Sequence, residues 1–198
     1  MFLKNLIDED FVNYKYPSMF IGTALCKGFK CDKECGRRVC QNSPLAATPE
    51  IFIDNDELIQ RFCHNPITDA VVIGGLEPFD TDLDTYNFIM RFRTEYSLTN
   101  KIVIYTGYYP SEIALQLKVL KDVLKTTNII IKFGRFIPDK ESHYDDVLGV
   151  NLASPNQFAI ELDDYTIDEL VELEKKYKYM GEEINENKWQ ESKSCRKS

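Results

Sequence analysis

The sequence predicts an α/β fold on a parallel sheet, and three observations carry the prediction. Short apolar runs alternate with helical patterns along the chain, the order that βαβ units produce. Two of these runs lead into segments with chemistry of their own: four of the six cysteines follow the first, and a Gly-Gly pair follows the second. The chain has 198 residues, 43% of them hydrophobic, which suits one buried core with a small appendage. Consecutive parallel strands need right-handed crossovers, so the sheet curls in a known sense, as an incomplete barrel or an open parallel sheet.

Residues 1–17 are mixed and rich in aromatics (Phe2, Phe11, Tyr14, Tyr16), and read as a cover for one sheet edge. The apolar run Met19 to Leu25 reads as a buried strand. The cysteine loop, Cys26 to Cys40, follows, and Gln41 to Leu45 closes it. Ile51 to Asp54 is a short extended piece. Asn55 or Asp56 caps a helix through Cys63, with Leu58, Ile59 and Phe62 on its buried side. Ala70 to Ile73 is the clearest strand and runs into Gly74-Gly75-Leu76-Glu77-Pro78-Phe79. A helix of about four turns follows, from Asp80 or Thr81 to Tyr96. Lys101 to Tyr105 is the next strand, ending in Thr106-Gly107-Tyr108-Tyr109. Pro110-Ser111-Glu112 opens a helix on which Ile113, Leu117, Leu120 and Leu124 form one stripe. Asn128 to Ile131 is another strand, followed by Lys132 to Pro138. Asp139 to Asp146 is polar and reads as loop; one last strand is expected around Asn156 to Ile160. From Tyr165 the pattern is a charged helix with Ile167, Leu170, Val171 and Leu173 as its weak apolar face, and after Gly181 a polar tail.

Composition excludes several classes. A net charge of −8 argues against general nucleic-acid binding. No apolar run is long enough to cross a membrane, and the acidic start does not resemble a secretory signal. A cytoplasmic, reducing compartment is therefore expected, where clustered cysteines bind metal sooner than they form disulfides. Cys63, in a helical pattern, and Cys195, in the tail, read as structural thiols packed as small hydrophobes. His64 and His143 lack ligand-like neighbours and read as surface residues; Tyr105, Tyr108 and Tyr109 read as core or rim.

Three chemistries compete for the cysteine loop. Structural zinc takes four thiolates, usually from two short pairs with a long spacer between them. A closed iron–sulfur cluster uses four cysteines for electron transfer, and an open cluster uses three and leaves one iron for substrate. The spacings here, with four, three and four residues between successive cysteines, contain no second pair. Gly74-Gly75-Leu76-Glu77 bears on the choice. By itself it reads as a tight βα turn; beside a thiolate loop, glycines let a ligand approach the backbone and Glu77 offers a carboxylate to an ammonium group. Five basic residues crowd the loop (Lys27, Lys30, Lys33, Arg37, Arg38), either as a solvated rim or as a docking face for an acidic electron donor or partner.

These segments resemble the radical S-adenosylmethionine superfamily, and within it the activating proteins of anaerobic ribonucleotide reductase. Val39-Cys40-Gln41-Asn42-Ser43-Pro44 is similar to that branch's third cysteine and its following Asn. Ile73 to Phe79 resembles its Gly-Gly-Asp/Glu-Pro segment, Ile104 to Tyr108 its third-strand segment, Gly134-Arg135-Phe136 its Asp-Gly-Arg/Pro-Phe stretch, and Ser154-Pro155-Asn156-Gln157 its Ser-x-Asn-Gln element. The resemblance covers roughly residues 18–160. The loop departs from the superfamily's C-x3-C-x2-C pattern: four residues separate Cys26 from Cys31, eight separate Cys31 from Cys40, and Cys35 lies inside that longer stretch.

The resemblance implies a partial (β/α) parallel barrel, with a cap at 1–17, the core at 18–162, and a charged helix and tail at 163–198. It implies a 4Fe–4S cluster on Cys26, Cys31 and Cys40, with Cys35 as an alternative ligand. S-adenosylmethionine would be bound by Val39, Gly74, Gly75, Leu76, Glu77, Thr106 and Asn156. Reductive cleavage of that cofactor would give a 5′-deoxyadenosyl radical, which in this branch takes a hydrogen from a glycine of the reductase partner. An acidic donor such as a flavodoxin would supply the electron. The alternatives are a radical enzyme with another substrate, and a non-enzymatic zinc or iron–sulfur module.

Overall fold

A computed structural model describes residues 1–125 and 127–178 of the chain. A seven-stranded sheet organises it: β1 (Phe2–Asp10), β2 (Ser18–Thr23), β3 (Ile51–Phe52), β4 (Ala70–Gly74), β5 (Lys101–Tyr105), β6 (Ile129–Phe133) and, after a small hairpin of β7 (His143–Asp145) and β8 (Val150–Leu152), β9 (Phe158–Glu161). The spatial order is β3-β1-β2-β4-β5-β6-β9. The four central strands are parallel, and β1, β3 and β9 are antiparallel to their neighbours. The fold is therefore α/β with a mostly parallel sheet.

The central strands form where they were expected because their side chains are apolar on both faces. All five residues of β4 and of β6 are buried, as strands covered on two sides require. Helices alternate with them: α1 (Lys30–Cys35), α2 (Ser43–Ala46), α3 (Asn55–His64), α4 (Asp82–Met90, continued by a wide turn over Arg91–Glu95), α5 (Ala114–Lys118, continued over Val119–Val123) and α6, residues 167–178. The cap of α3 is Asp54, whose carboxylate accepts from the Asp56 amide at 2.8 Å, one residue before the expected position. Of the α5 stripe, Ile113, Leu117 and Leu120 are fully buried.

Strand periodicity divides the sheet into two unlike faces. One carries Met19, Ile21, Val71, Ile73, Ile102, Ile104, Ile129, Ile131 and Phe133, and packs against Leu58, Ile59, Phe62, Phe88, Leu117 and Leu170 of the helices. The other carries Val72, Val103, Ile130 and Ala159, and is covered by Tyr14 from the β1–β2 connection and by Leu148 and Leu152 around the hairpin. The core cluster on that second face contains no helix residue, and the site lies at the strand ends on this side, bordered by α1.

Four expectations change. The segment 1–17 covers the sheet edge by joining it as a strand, with Leu3 buried and Phe2 half exposed. The expected loop at Asp139 to Asp146 contains β7, paired through His143 with Leu152. His143 is partly buried in that pair and its Nδ1 has no partner. Cys63 is exposed on α3 rather than packed. The polar tail after Gly181, with Cys195, lies outside the described residues. No described helix is long and apolar enough to cross a membrane.

Candidate active site

The C-terminal ends of the parallel strands open into one cavity of about 450 Å³ on this side. Cys26, Cys31 and Cys40 line it, with Gly75, Leu76 and Glu77 after β4, Thr106 and Gly107 after β5, and Lys132 at the end of β6. Cys35 does not. It borders a second cavity, of about 560 Å³, with Arg37, Tyr109, Asn156 and Lys178. α1 carries Cys31 and Cys35 one turn apart, so the two thiols lie at successive levels along its axis.

Local hydrogen bonds position the three cavity cysteines. The Asp80 carboxylate accepts from the Lys27 amide, and the Glu77 amide donates to Leu25 O at 2.9 Å; together they fix the backbone on both sides of Cys26. Asp32 Oδ1 accepts from the amides of Val39 and Cys40, both at 2.7 Å, folding the end of the loop back onto α1. These two bonds hold the Asp32 carboxyl below its usual range. The Asn42 side-chain amide donates to Gly75 O, joining the loop to the βα turn.

Burial pushes the Cys26 thiol up to about 11, with Glu77 adding to the effect. Burial raises the Cys31 thiol as well, against a backbone N–H of Phe136 and reinforced by Cys40. Both thiols are thus protonated at neutral pH, and metal binding would release those protons. Among the described residues no three His, Cys, Asp or Glu side chains converge on a point where one metal ion could sit; the three thiols border a shared cavity instead. The donor set fits an iron–sulfur cluster, which takes one thiolate at each of several irons.

Glu77 is only 3% exposed. Its carboxylate accepts from Thr106 Oγ1 at 2.7 Å, the Gly107 amide at 2.9 Å and the Phe79 amide at 3.3 Å. Burial still outweighs these donors and raises its pKa to about 7. Across the sheet Lys132, also buried, donates to Gly134 O at 2.7 Å, and burial lowers its pKa to about 8. The cavity therefore brings a carboxyl group, Glu77, together with two amino groups, Lys132 and Lys30.

A raised carboxyl pKa means that the folded chain holds a proton the unfolded chain has released. Metal-free protein should lose up to roughly 3 kcal/mol of stability from Glu77 as pH rises from below its ordinary 4.5 through about 7. Thermal melts from pH 5 to 8 measure that slope. Glu77→Gln should flatten it, and equal slopes in the two proteins would assign the proton elsewhere.

Of the expected cofactor residues, Gly75, Leu76, Glu77 and Thr106 meet at the cavity. Gly74 ends β4, and a Cβ there would meet Tyr105 Cβ at 3.0 Å. Val39 is not among the residues that line the cavity; its amide donates to Asp32 Oδ1. Asn156 borders the second cavity with Cys35, and its side-chain amide donates to Tyr109 Oη at 2.9 Å and Arg135 O at 2.8 Å. Sequence reasoning missed Lys132, and the signal was present: a lysine directly after three isoleucines of a buried strand needs a reason to be there. It also missed Asp32, Asp80 and Arg135, which hold the loop.

The fold and the site define an α/β protein with a thiol-lined cavity at the C-terminal ends of its parallel strands. Comparison with protein-family models, with curated proteins and with solved structures finds no match to this chain.

Proposed function

We propose that this chain is a radical S-adenosylmethionine enzyme of the activase type, with a partial parallel barrel, working in the cytoplasm. One observation carries the reading: Cys26, Cys31 and Cys40 share a cavity with Gly75, Leu76 and Glu77, and Cys35 does not. The three thiolates would hold a 4Fe–4S cluster. Such a cluster would supply the single electron for reductive cleavage of S-adenosylmethionine to methionine and a 5′-deoxyadenosyl radical.

The chain's own residues bind, orient and exclude water. Gly75 has a φ of 79° and brings its backbone to the cavity wall without a side chain in the way. Glu77 accepts from an ammonium group, which would draw its carboxyl pKa back down, and Lys132 pairs with a carboxylate. Together they suit the zwitterionic end of an amino acid such as the methionyl group. Phe20, Phe29, Tyr105 and Phe136 line the same cavity and keep it dry around a reactive intermediate. Lys27, Lys30 and Lys33 at the loop favour an acidic electron donor such as a flavodoxin.

The partner in this reading is a glycyl-radical ribonucleotide reductase. Loaded protein, reductant and S-adenosylmethionine, incubated with the anaerobic reductase of the same source, should give a glycyl radical signal by electron paramagnetic resonance. Cofactor cleavage without that signal would assign the enzyme to another substrate.

A further inference from the structure

We propose that Arg135 is a positioning residue: it holds α1 against the strand ends and so determines where Cys31 meets the cavity. Its importance for metal binding rests on the reading above, but the mechanical link does not. α1 has six residues and buries none of them. It starts at Phe29, which has a left-handed φ of 43° and makes no side-chain cap. So short a helix gains little from its own hydrogen bonds and must be held by other parts of the fold.

Glu34 supplies the connection. Its carboxylate lies 3.2 Å from Arg135 Nε, and the Arg135 side chain is only 8% exposed. Arg135 is itself fixed on every side. Its guanidinium pairs with Glu112 and stands 5.0 Å from the centroid of the Tyr109 ring. Its carbonyl accepts from Asn156 Nδ2, and Glu112 also accepts from the Tyr109 amide at 2.8 Å. A planar guanidinium can serve two carboxylates at once, as a lysine ammonium cannot with the same geometry. From α1 the link passes on through Asp32 to the backbone of Cys40. Glu112, Arg135, Glu34 and Asp32 thus connect the end of β6 to two of the three cavity thiols.

The test uses the full chain without metal, so it does not depend on what the cysteines bind. Glu34→Gln and Glu112→Gln each neutralise one carboxylate beside Arg135, but only Glu34 lies on α1, so only the first directly weakens the tie to that helix. Iodoacetamide labelling of each cysteine is followed by peptide mass spectrometry, with exposed Cys63 as the internal standard. Glu34→Gln should speed labelling of Cys31 about threefold, the local loosening expected when a partly exposed ion pair is weakened. Glu112→Gln should leave the Cys31 rate near that of the parent while lowering the melting temperature. An unchanged Cys31 rate in Glu34→Gln, or an equal rise in both variants, would overturn the proposal. If Cys31 loosens in Glu34→Gln, Arg135 positions α1 as proposed whatever the iron content of the reconstituted protein; the ligand assignment is tested separately by serine replacement of the cysteines.

Discussion

Serine at position 26, 31 or 40 is expected to remove the bound iron, whereas serine at position 35 should leave most of it in place. The reason is where each thiol stands. Cys26, Cys31 and Cys40 border the same cavity, and Cys35 borders another with Arg37 and Lys178. Thiolate sulfur is the soft ligand that iron–sulfur clusters require, and a serine hydroxyl is a poor substitute. The effect should be close to all-or-none: an open cluster has three protein ligands, and loss of one leaves a second iron exposed. Iron and sulfide analysis of the four variants separates the outcomes. Loss of iron in Cys35→Ser with retention in Cys26→Ser would make the ligands Cys31, Cys35 and Cys40.

Gly75→Val should have the next largest effect, and it acts in two ways. A valine at φ 79° is strained, at a cost of about 2–3 kcal/mol. Its Cβ would also stand 2.9 Å from Leu45 Cδ2 and 3.3 Å from Gly22 Cα, so the neighbouring side chain must move before the turn can form. The melting temperature should fall by roughly 5–10 °C at this chain length. The cysteines keep their positions, so the protein should still bind iron. The branched side chain narrows the approach to the turn backbone, so S-adenosylmethionine should bind at least about tenfold more weakly, or about 1.4 kcal/mol. Gly75→Ala shares the backbone strain but not the branched bulk and should lie between. Unchanged affinity in Gly75→Val, by calorimetry on the loaded protein, would move the cofactor away from this turn.

The central strands were legible because each is a dense apolar run with a glycine, threonine or proline boundary; Ala70–Gly74 and Lys101–Tyr105 are the plainest. β1 was not. Its sequence, Phe-Leu-Lys-Asn-Leu-Ile-Asp-Glu-Asp, is that of a strand next to the sheet edge with one half-solvated face, and its charges hide the alternation. The direction of β9 was not legible either. The connection from β6 carries a three-residue hairpin pair in place of a helix, and without a helical crossover the chain returns antiparallel. At the site, the cysteines and Gly-Gly-Leu-Glu stood out because they are contiguous in sequence. The residues that hold them did not, because Asp32, Asp80 and Arg135 act through single contacts between separate elements. Asn156 and its neighbour Gln157 border different cavities, Gln157 the first and Asn156 the second, a difference of one step along the chain that no sequence pattern marks.

Anaerobic reconstitution followed by dithionite and S-adenosylmethionine tests the central claim most directly. The account predicts a brown protein with about four irons and matching sulfide per chain, which converts S-adenosylmethionine to methionine and 5′-deoxyadenosine. A fully loaded cluster that never cleaves the cofactor, or a protein that takes up zinc in place of iron, would contradict it.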